Sequence, residues 1–373
     1  MKNGISWPNY SKNILGIPNS FLKHYNAKAP HVTLPLLDAL LAKNYTNVVF
    51  MIFDGMGSDM LRANLPPDAF LNRHIADELS SVYPCTTTAA ITAFESGLSP
   101  IEHGWLGWSC YFKEIGKRVD LFTSNDAATG QPAADVHMAH TYMPYISIFD
   151  KIKQASPEAA VFNVSPFSEY YADTTADVCT QIRQICQKPG RKYIHAYHHR
   201  PDCDMHDHGC YAEPVKQLMR HINDQIERLS NTLQDAIIVI TADHGLINST
   251  DVHLDEYPDL FECLAIPPSV ESRCLSFFVK DGMFETFATR FNAQFGSDFL
   301  LLTKAEALSR NIFGTGTPHP KALDFIGDYV ALATGNLRLI SGANPHHFKA
   351  MHAGLTAQEM LVPLIIIEKE KRP

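Results

Sequence analysis

The chain has 373 residues, 45% of them hydrophobic and 19% charged, with a formal net charge of −9. Such a composition belongs to a globular protein large enough for one α/β domain plus an insertion. The acidic balance excludes binding a nucleic-acid polymer as the main task, because no broad basic face is available to neutralise a phosphate backbone.

No run reaches the roughly 18 apolar residues needed to span a bilayer, so no membrane partner is expected. Met1 to Pro30 shows no charged-then-apolar leader pattern, and the eight cysteines form no Cys-x-x-Cys pair. A cytoplasmic location with reduced thiols is the expectation.

In chain order, Asn47 to Phe53 is a compact apolar run that predicts a buried strand entering Asp54-Gly55-Met56-Gly57. Ser58 to Ala63 and Thr88 to Ser96 read as helices, as do Ile146 to Gln154 and Glu213 to Leu233. Further strands are expected over 159–164, 192–197 and 236–241, and a last one over 361–368, where Pro363 suggests a sheet edge. Strands alternating with helices predict a mainly parallel sheet covered on both faces. Residues 255–345 have another texture, with strands at 273–279, 300–303 and 329–333 and a helix at 283–295. They are expected to form a small α+β cap inserted into a core of residues 1–254 and 346–373.

The chemistry-bearing residues cluster at strand ends, where open α/β sheets bind ligands. Asp54 follows the first strand as either a metal ligand or the N-cap of the next helix. Thr86-Thr87-Thr88 start a helix, either as caps or with one hydroxyl as a nucleophile beside a metal and the helix N-terminus. In the segment His198 to Gly209, Asp202 and His206 stand four apart and can face one metal if the turn is helical, with Asp204, Asp207 and His208 as competitors. Asp243-His244 ends the strand 236–241, and His352 stands alone near the C-terminus.

The order strand–Asp, hydroxyl at a helix start, Asp-x-x-x-His, strand–Asp-His and late His resembles the alkaline phosphatase superfamily. Within it, the chain is most similar to the type I phosphodiesterase/nucleotide pyrophosphatase family, over roughly Asn47 to Glu368. The resemblance implies an alkaline-phosphatase-like three-layer sandwich. It also implies that Thr87, three residues after Pro84 and ten before Gly97, is the nucleophile. The family pattern Pro-Asp-x-x-Gly-His-x-x-Gly falls on Pro201, Asp202, His206 and Gly209, with Met205 in place of the inner glycine.

By the same resemblance, two divalent ions are expected. Asp202, His206 and His352 would hold one; Asp54, Asp243 and His244 would hold the other, with Thr87 beside it. Ligation by His and Asp without thiolate suits Zn²⁺, with Mn²⁺ or Fe²⁺ as alternatives. The implied reaction is hydrolysis of a small phosphodiester or pyrophosphate, such as a nucleotide derivative, through a phospho-threonine. A homo-oligomer is compatible with this reading.

The chain departs from the family at one informative place. Where nucleotide phosphodiesterases carry an Asn after a His-Gly pair, counting from His103-Gly104 reaches Trp108. Trp105, Trp108 and Tyr111 are candidates for an apolar substrate wall, and His319, His346 and His347 are candidates to reach the cleft from the cap. A phosphonate hydrolase of the phosphonoacetate type shares the metal set and the Thr, and a phosphomonoesterase could use the same site, although no Arg adjoins Thr87 in sequence. A protein that keeps the metals for stability alone is the non-enzyme alternative.

Overall fold

Asn47–Phe53 and Ala236–Thr241 are buried at every position, so both faces of each strand need covering. They pair in parallel at the middle of a seven-stranded sheet. The computed structural model describes residues 4–342 and 347–371. Across this sheet the order is Ile75–Ser80, Leu361–Lys369, Ala236–Thr241, Asn47–Phe53, Lys192–His198, Ala160–Ser165, Tyr170–Tyr171.

All neighbouring pairs are parallel except the two made by Leu361–Lys369, which runs against both of its neighbours. Helices Gly16–His24, Thr87–Ser96 and Ile148–Ala155 pack together, while Ser58–Asn64, Phe70–Arg73 and Thr175–Cys186 pack on the long helix Glu213–Thr232. The result is an α/β sandwich with a mainly parallel central sheet.

The edge position expected for the last strand does not hold. Leu361–Lys369 is interior, but its pairing is staggered: residues 361–365 meet Ile75–Ser80, and residues 365–369 meet Ala236–Thr241. Pro363 lies in the half bonded on one side only, which is how an interior strand tolerates a residue without an N–H.

A second, antiparallel sheet has the order Phe299–Thr303, Tyr329–Ala333, Cys274–Phe277, Ser269–Val270, Ser109–Phe112, Lys117–Asp120. Helix Phe284–Phe295 presents Phe287, Phe291 and Phe295 at four-residue spacing to a core that includes Phe277 and Phe299. The hairpin of Ser109–Phe112 and Lys117–Asp120 lies outside the stretch 255–345 in sequence. It extends the same sheet through the pairing of Ser109 with Val270.

Among the described residues no helix is long and apolar enough to cross a membrane.

Candidate active site

The carboxyl ends of the central parallel strands converge. Asp54 directly follows Asn47–Phe53, and its neighbour Gly55 has φ of +74°. A Cβ at Gly55 would stand 2.7 Å from Leu246 Cδ1 and 3.0 Å from Asp202 Cα, so only glycine allows this turn and this approach. The N–H of Asp202 donates to the Asp54 carbonyl at 3.0 Å, which ties the two aspartates' backbones together. The N-cap of helix Ser58–Asn64 is Gly57, so Asp54 is not a helix cap.

Asp243 uses Oδ1 to accept from the N–H groups of Gly55 and His244, each at 3.0 Å. Its carbonyl accepts from Ser81 Oγ at 2.5 Å. Asp202 opens helix Asp202–His208, and one turn on His206 Nε2 lies 3.1 Å from Asp202 Oδ2. His206 Nδ1 is 2.7 Å from the Ala350 carbonyl, which keeps the proton on Nδ1 and an electron pair on Nε2. His352 follows the short strand Ala350–Met351 and stacks on His244, with ring centroids 3.9 Å apart.

Ligand atoms of Asp54, Asp243 and His244 lie within 4.8 Å of one another, as do those of Asp202, His244 and His352. All five residues are buried. His244 therefore stands between the two groups, and His206 joins the second through Asp202, its ring centroid 5.4 Å from that of His352. Asp54 Oδ1, Asp202 Oδ1, Asp243 Oδ2 and His352 Nδ1 are buried without a hydrogen-bond partner. Each such atom costs about 1–3 kcal/mol, and more where charged. Four of them converging in one place fit a site built for cations.

Protonation follows the same logic. Burial, with Asp243 and Asp202 close by, holds the Asp54 carboxyl well above its ordinary range. Burial raises Asp243 as well. Asp202 moves the other way: burial would raise it, but His206, His352 and His244 together hold it below. Burial beside His244 pushes His352 well down, leaving a neutral imidazole able to ligate.

Of the three threonines, Thr86 and Thr88 are fully buried, and only Thr87 reaches the cavity. Thr87 is the first residue of helix Thr87–Ser96, and its Oγ lies 3.2 Å from His244 Nε2. Thr86, the N-cap residue, turns its hydroxyl away to Glu271, so its side chain does not cap the helix start. The first-turn N–H groups then favour an anion.

The cavity, about 700 Å³, brings Thr87, Asp202, His206 and His352 together with Trp108, Arg118, Glu271, Arg338 and Phe348. Trp108 is 44% exposed at its wall. Trp105 is instead a core residue whose indole N–H donates to Met143 O at 3.0 Å, and Tyr111 is absent from the lining.

In the His198–Gly209 segment, Asp204 pairs with Arg200 at 2.8 Å, while Asp207 and His208 are exposed. Of the histidines expected to reach the cleft, His319 accepts from Lys321 N at its own helix start, and His347 pairs with Asp251 at 2.8 Å. His346 lies outside the described residues.

Sequence reasoning missed three residues. Tyr197 donates to Asp54 Oδ2 at 2.5 Å, which leaves Oδ1 free. Glu271, on the cavity wall, accepts from both Thr86 Oγ1 and Trp108 N at 2.7 Å, and burial pushes its carboxyl up to about 7. Arg338 pairs with Asp251 at 3.3 Å with its guanidinium over Phe348, bringing a cation to a cleft whose sequence motifs contain none. Tyr197→Phe should weaken metal affinity by about 10–100-fold, read by competition with a chelating dye, because one Asp54 oxygen loses its fixed orientation. Unchanged affinity would sink this role.

The family model described as type I phosphodiesterase/nucleotide pyrophosphatase matches residues 48–267. Murine ectonucleotide pyrophosphatase/phosphodiesterase 5 superposes with a TM-score of 0.66 at 16% identity, covering 87% of this chain and 88% of that one. Phosphonoacetate hydrolase from Sinorhizobium meliloti 1021, in complex with phosphonoformate, gives 0.61 at 16% identity, covering 87% and 90%. These likenesses show the alkaline-phosphatase-like fold. No curated protein sequence matches the chain. The matched span runs from the strand before Asp54 past the Asp243-His244 pair, more than half of the chain, and the protein therefore belongs to the type I phosphodiesterase/nucleotide pyrophosphatase family of phosphoric diester hydrolases.

Proposed function

We propose that the protein is a metal-dependent hydrolase of small phosphodiesters or pyrophosphates, such as nucleotide derivatives, with Thr87 as its nucleophile. The observation that carries this reading is the Thr87 hydroxyl, 3.2 Å from His244 Nε2, at the mouth of a buried Asp/His cluster with four unpartnered polar atoms. Asp54, Asp243 and His244 would hold one ion, and Asp202, His206 and His352 the other. Zn²⁺ suits these ligands best, with Mn²⁺ and Fe²⁺ as alternatives. When bound, the ions supply Lewis acidity that lowers the hydroxyl's pKa and offsets charge on the phosphoryl oxygens.

The N-terminus of helix Thr87–Ser96 receives the phosphoryl group. Thr87 Oγ attacks phosphorus in line, the alcohol or phosphate leaves, and a phosphoester stays on Thr87 until water hydrolyses it. Trp108 offers an exposed ring at the wall for the leaving group. We take the hairpin 109–120 to belong with residues 255–345 to one cap unit, since they share a sheet. All eight cysteines are free thiols, which supports a cytoplasmic location.

A second reading, phosphonate hydrolysis, is favoured by the likeness to phosphonoacetate hydrolase and by two arginines in the cavity wall, Arg118 and Arg338. Each would have to turn from its present partner, the Pro268 carbonyl or Asp251, to meet a substrate carboxylate. Metal content, measured alongside turnover of a model diester, a model monoester and phosphonoacetate, separates the readings. The expected result is about two divalent ions per chain, diester preference, and loss of turnover in a strong chelator that returns with added Zn²⁺. Monoester or phosphonoacetate preference would overturn the diesterase reading, and turnover surviving the chelator would overturn the metal mechanism.

A further inference from the structure

Glu271 belongs to the loop before Arg273 and lines the same cavity as Thr87, Asp202, His206 and His352. One of its oxygens, Oε1, is fixed by two donors, the Thr86 hydroxyl and the Trp108 N–H, both at 2.7 Å. These donors flank the nucleophile's helix start and the position where the family places an amide side chain. The second Glu271 oxygen, Oε2, makes no hydrogen bond among the described residues and is not fully enclosed.

Charged neighbours of both signs stand near this carboxyl: His206 favours its ionised form, Asp120 opposes it, and Glu271 in turn favours the Arg338 cation. Asp120, on the same wall, is itself acidic and bonded to Ser109 Oγ. Arg118 donates to the Pro268 carbonyl at 2.9 Å, and Arg338 is paired with Asp251. His206 is drawn to Asp202.

We propose that Glu271 is a specificity-determining residue that sets the cleft against phosphoryl groups bearing more than one negative charge, favouring monoanionic diesters over dianionic monoesters and carboxylated phosphonates. This rests on the diesterase reading of the site. A diester brings one negative charge to the wall; a monoester brings two, and a carboxylated phosphonate brings more. Repulsion between like charges a few ångströms apart is only partly screened at the wall of a cavity, so each added charge on the substrate weakens binding there.

Glu271→Gln keeps the size of the side chain and the acceptor held by Thr86 and Trp108, and removes the charge. The comparison uses the metal-loaded protein at pH 8.5, where the wild-type carboxyl is ionised, with metal content measured in both forms. The ratio of monoester to diester kcat/KM should rise at least about tenfold. Inorganic phosphate should bind at least about fivefold more tightly by calorimetry.

A ratio and a phosphate affinity that both stay within about twofold would overturn the charge argument. So would a fall in both activities together with weaker phosphate binding, which would make Glu271 a brace for Thr86 and Trp108. Absence of diester turnover in the wild type defeats the diesterase reading instead, and phosphate affinity then still decides the role of Glu271.

Discussion

Replacing Thr87 with Ala should lower kcat by at least about a thousandfold, while bound metal and thermal stability stay at wild-type levels. The asymmetry comes from the position. Thr87 is partly exposed at the cavity, and its hydroxyl has a single side-chain neighbour, His244. Truncation therefore opens no core cavity, and the buried His244 Nε2 keeps Asp54 and Asp243 beside it at 3.4 and 3.3 Å. Asp54, Asp243 and His244 keep their own contacts, so the ion-binding groups persist. What disappears is the atom proposed to attack phosphorus.

Thr88 gives the contrast, because its side chain is fully buried and a change there acts on packing. Thr87→Ser should keep part of the turnover, since Oγ remains. Rapid quenching of the wild type during diester turnover should leave on the peptide containing Thr87 the mass of the phosphoryl group, about 80 Da, plus that of the ester group it retains. Wild-type turnover in Thr87→Ala would remove Thr87 from the chemistry.

The residues that sequence reasoning found share one property: each sits in a local pattern tied to an element end. The runs 47–53 and 236–241 are apolar on both faces, and both strands have the boundaries their sequences predict. Asp54 and Asp243-His244 follow from where those runs stop. The four-residue spacing lets Asp202 and His206 face one another only if the turn between them is helical, and it is.

Glu271, Arg338 and Tyr197 were not legible, because their roles depend on tertiary register. Tyr197 reaches Asp54 because Lys192–His198 pairs in parallel with Asn47–Phe53, matching Tyr197 to Ile52, and no pattern in either strand states that register. Glu271 reaches Thr86 across 185 positions of sequence. Trp105 and Trp108, three residues apart, read alike as wall candidates, and only tertiary burial, with the Trp105 indole N–H bonded to the Met143 carbonyl, separates the core indole from the exposed one.

The strand Ile75–Ser80 was missed for a different reason. Its sequence IADELS is half polar and its first four residues are not buried, so it lacks the continuous apolar signal of its neighbours. Helix Thr175–Cys186 did carry a usable signal, the capping box of Thr174 and Asp177.

Arg273→Met should destabilise the protein by about 3–5 kcal/mol, because it leaves a buried carboxylate without its cation. Arg273 and Glu359 are both fully buried and meet in a two-point fork, Nε to Oε1 at 2.7 Å and Nη2 to Oε2 at 2.8 Å. The remaining guanidinium donors serve the carbonyls of Leu337 at 2.6 Å and Gly335 at 2.8 Å. Glu359 also accepts from Gly354 N and the Thr356 hydroxyl, so it anchors the turn that follows His352. There is no room for anything else: a Cβ on Gly354 would stand 2.6 Å from Glu359 Oε2 and 2.8 Å from Arg273 Nη2.

Arg273 is two residues from Glu271, and Gly354 is two residues from His352. The ion pair thus fixes a wall residue of the cleft and a candidate metal ligand relative to each other. The loss should appear in denaturant unfolding as a lower midpoint, and metal affinity should fall with it. Arg273→Met combined with Glu359→Met should recover part of the stability, since the stranded charge is gone, but not the metal affinity, since Gly354 N still lacks its acceptor. A single variant within about 1 kcal/mol of wild type would show that water reaches the carboxylate and that the pair does not fix Glu271 relative to His352.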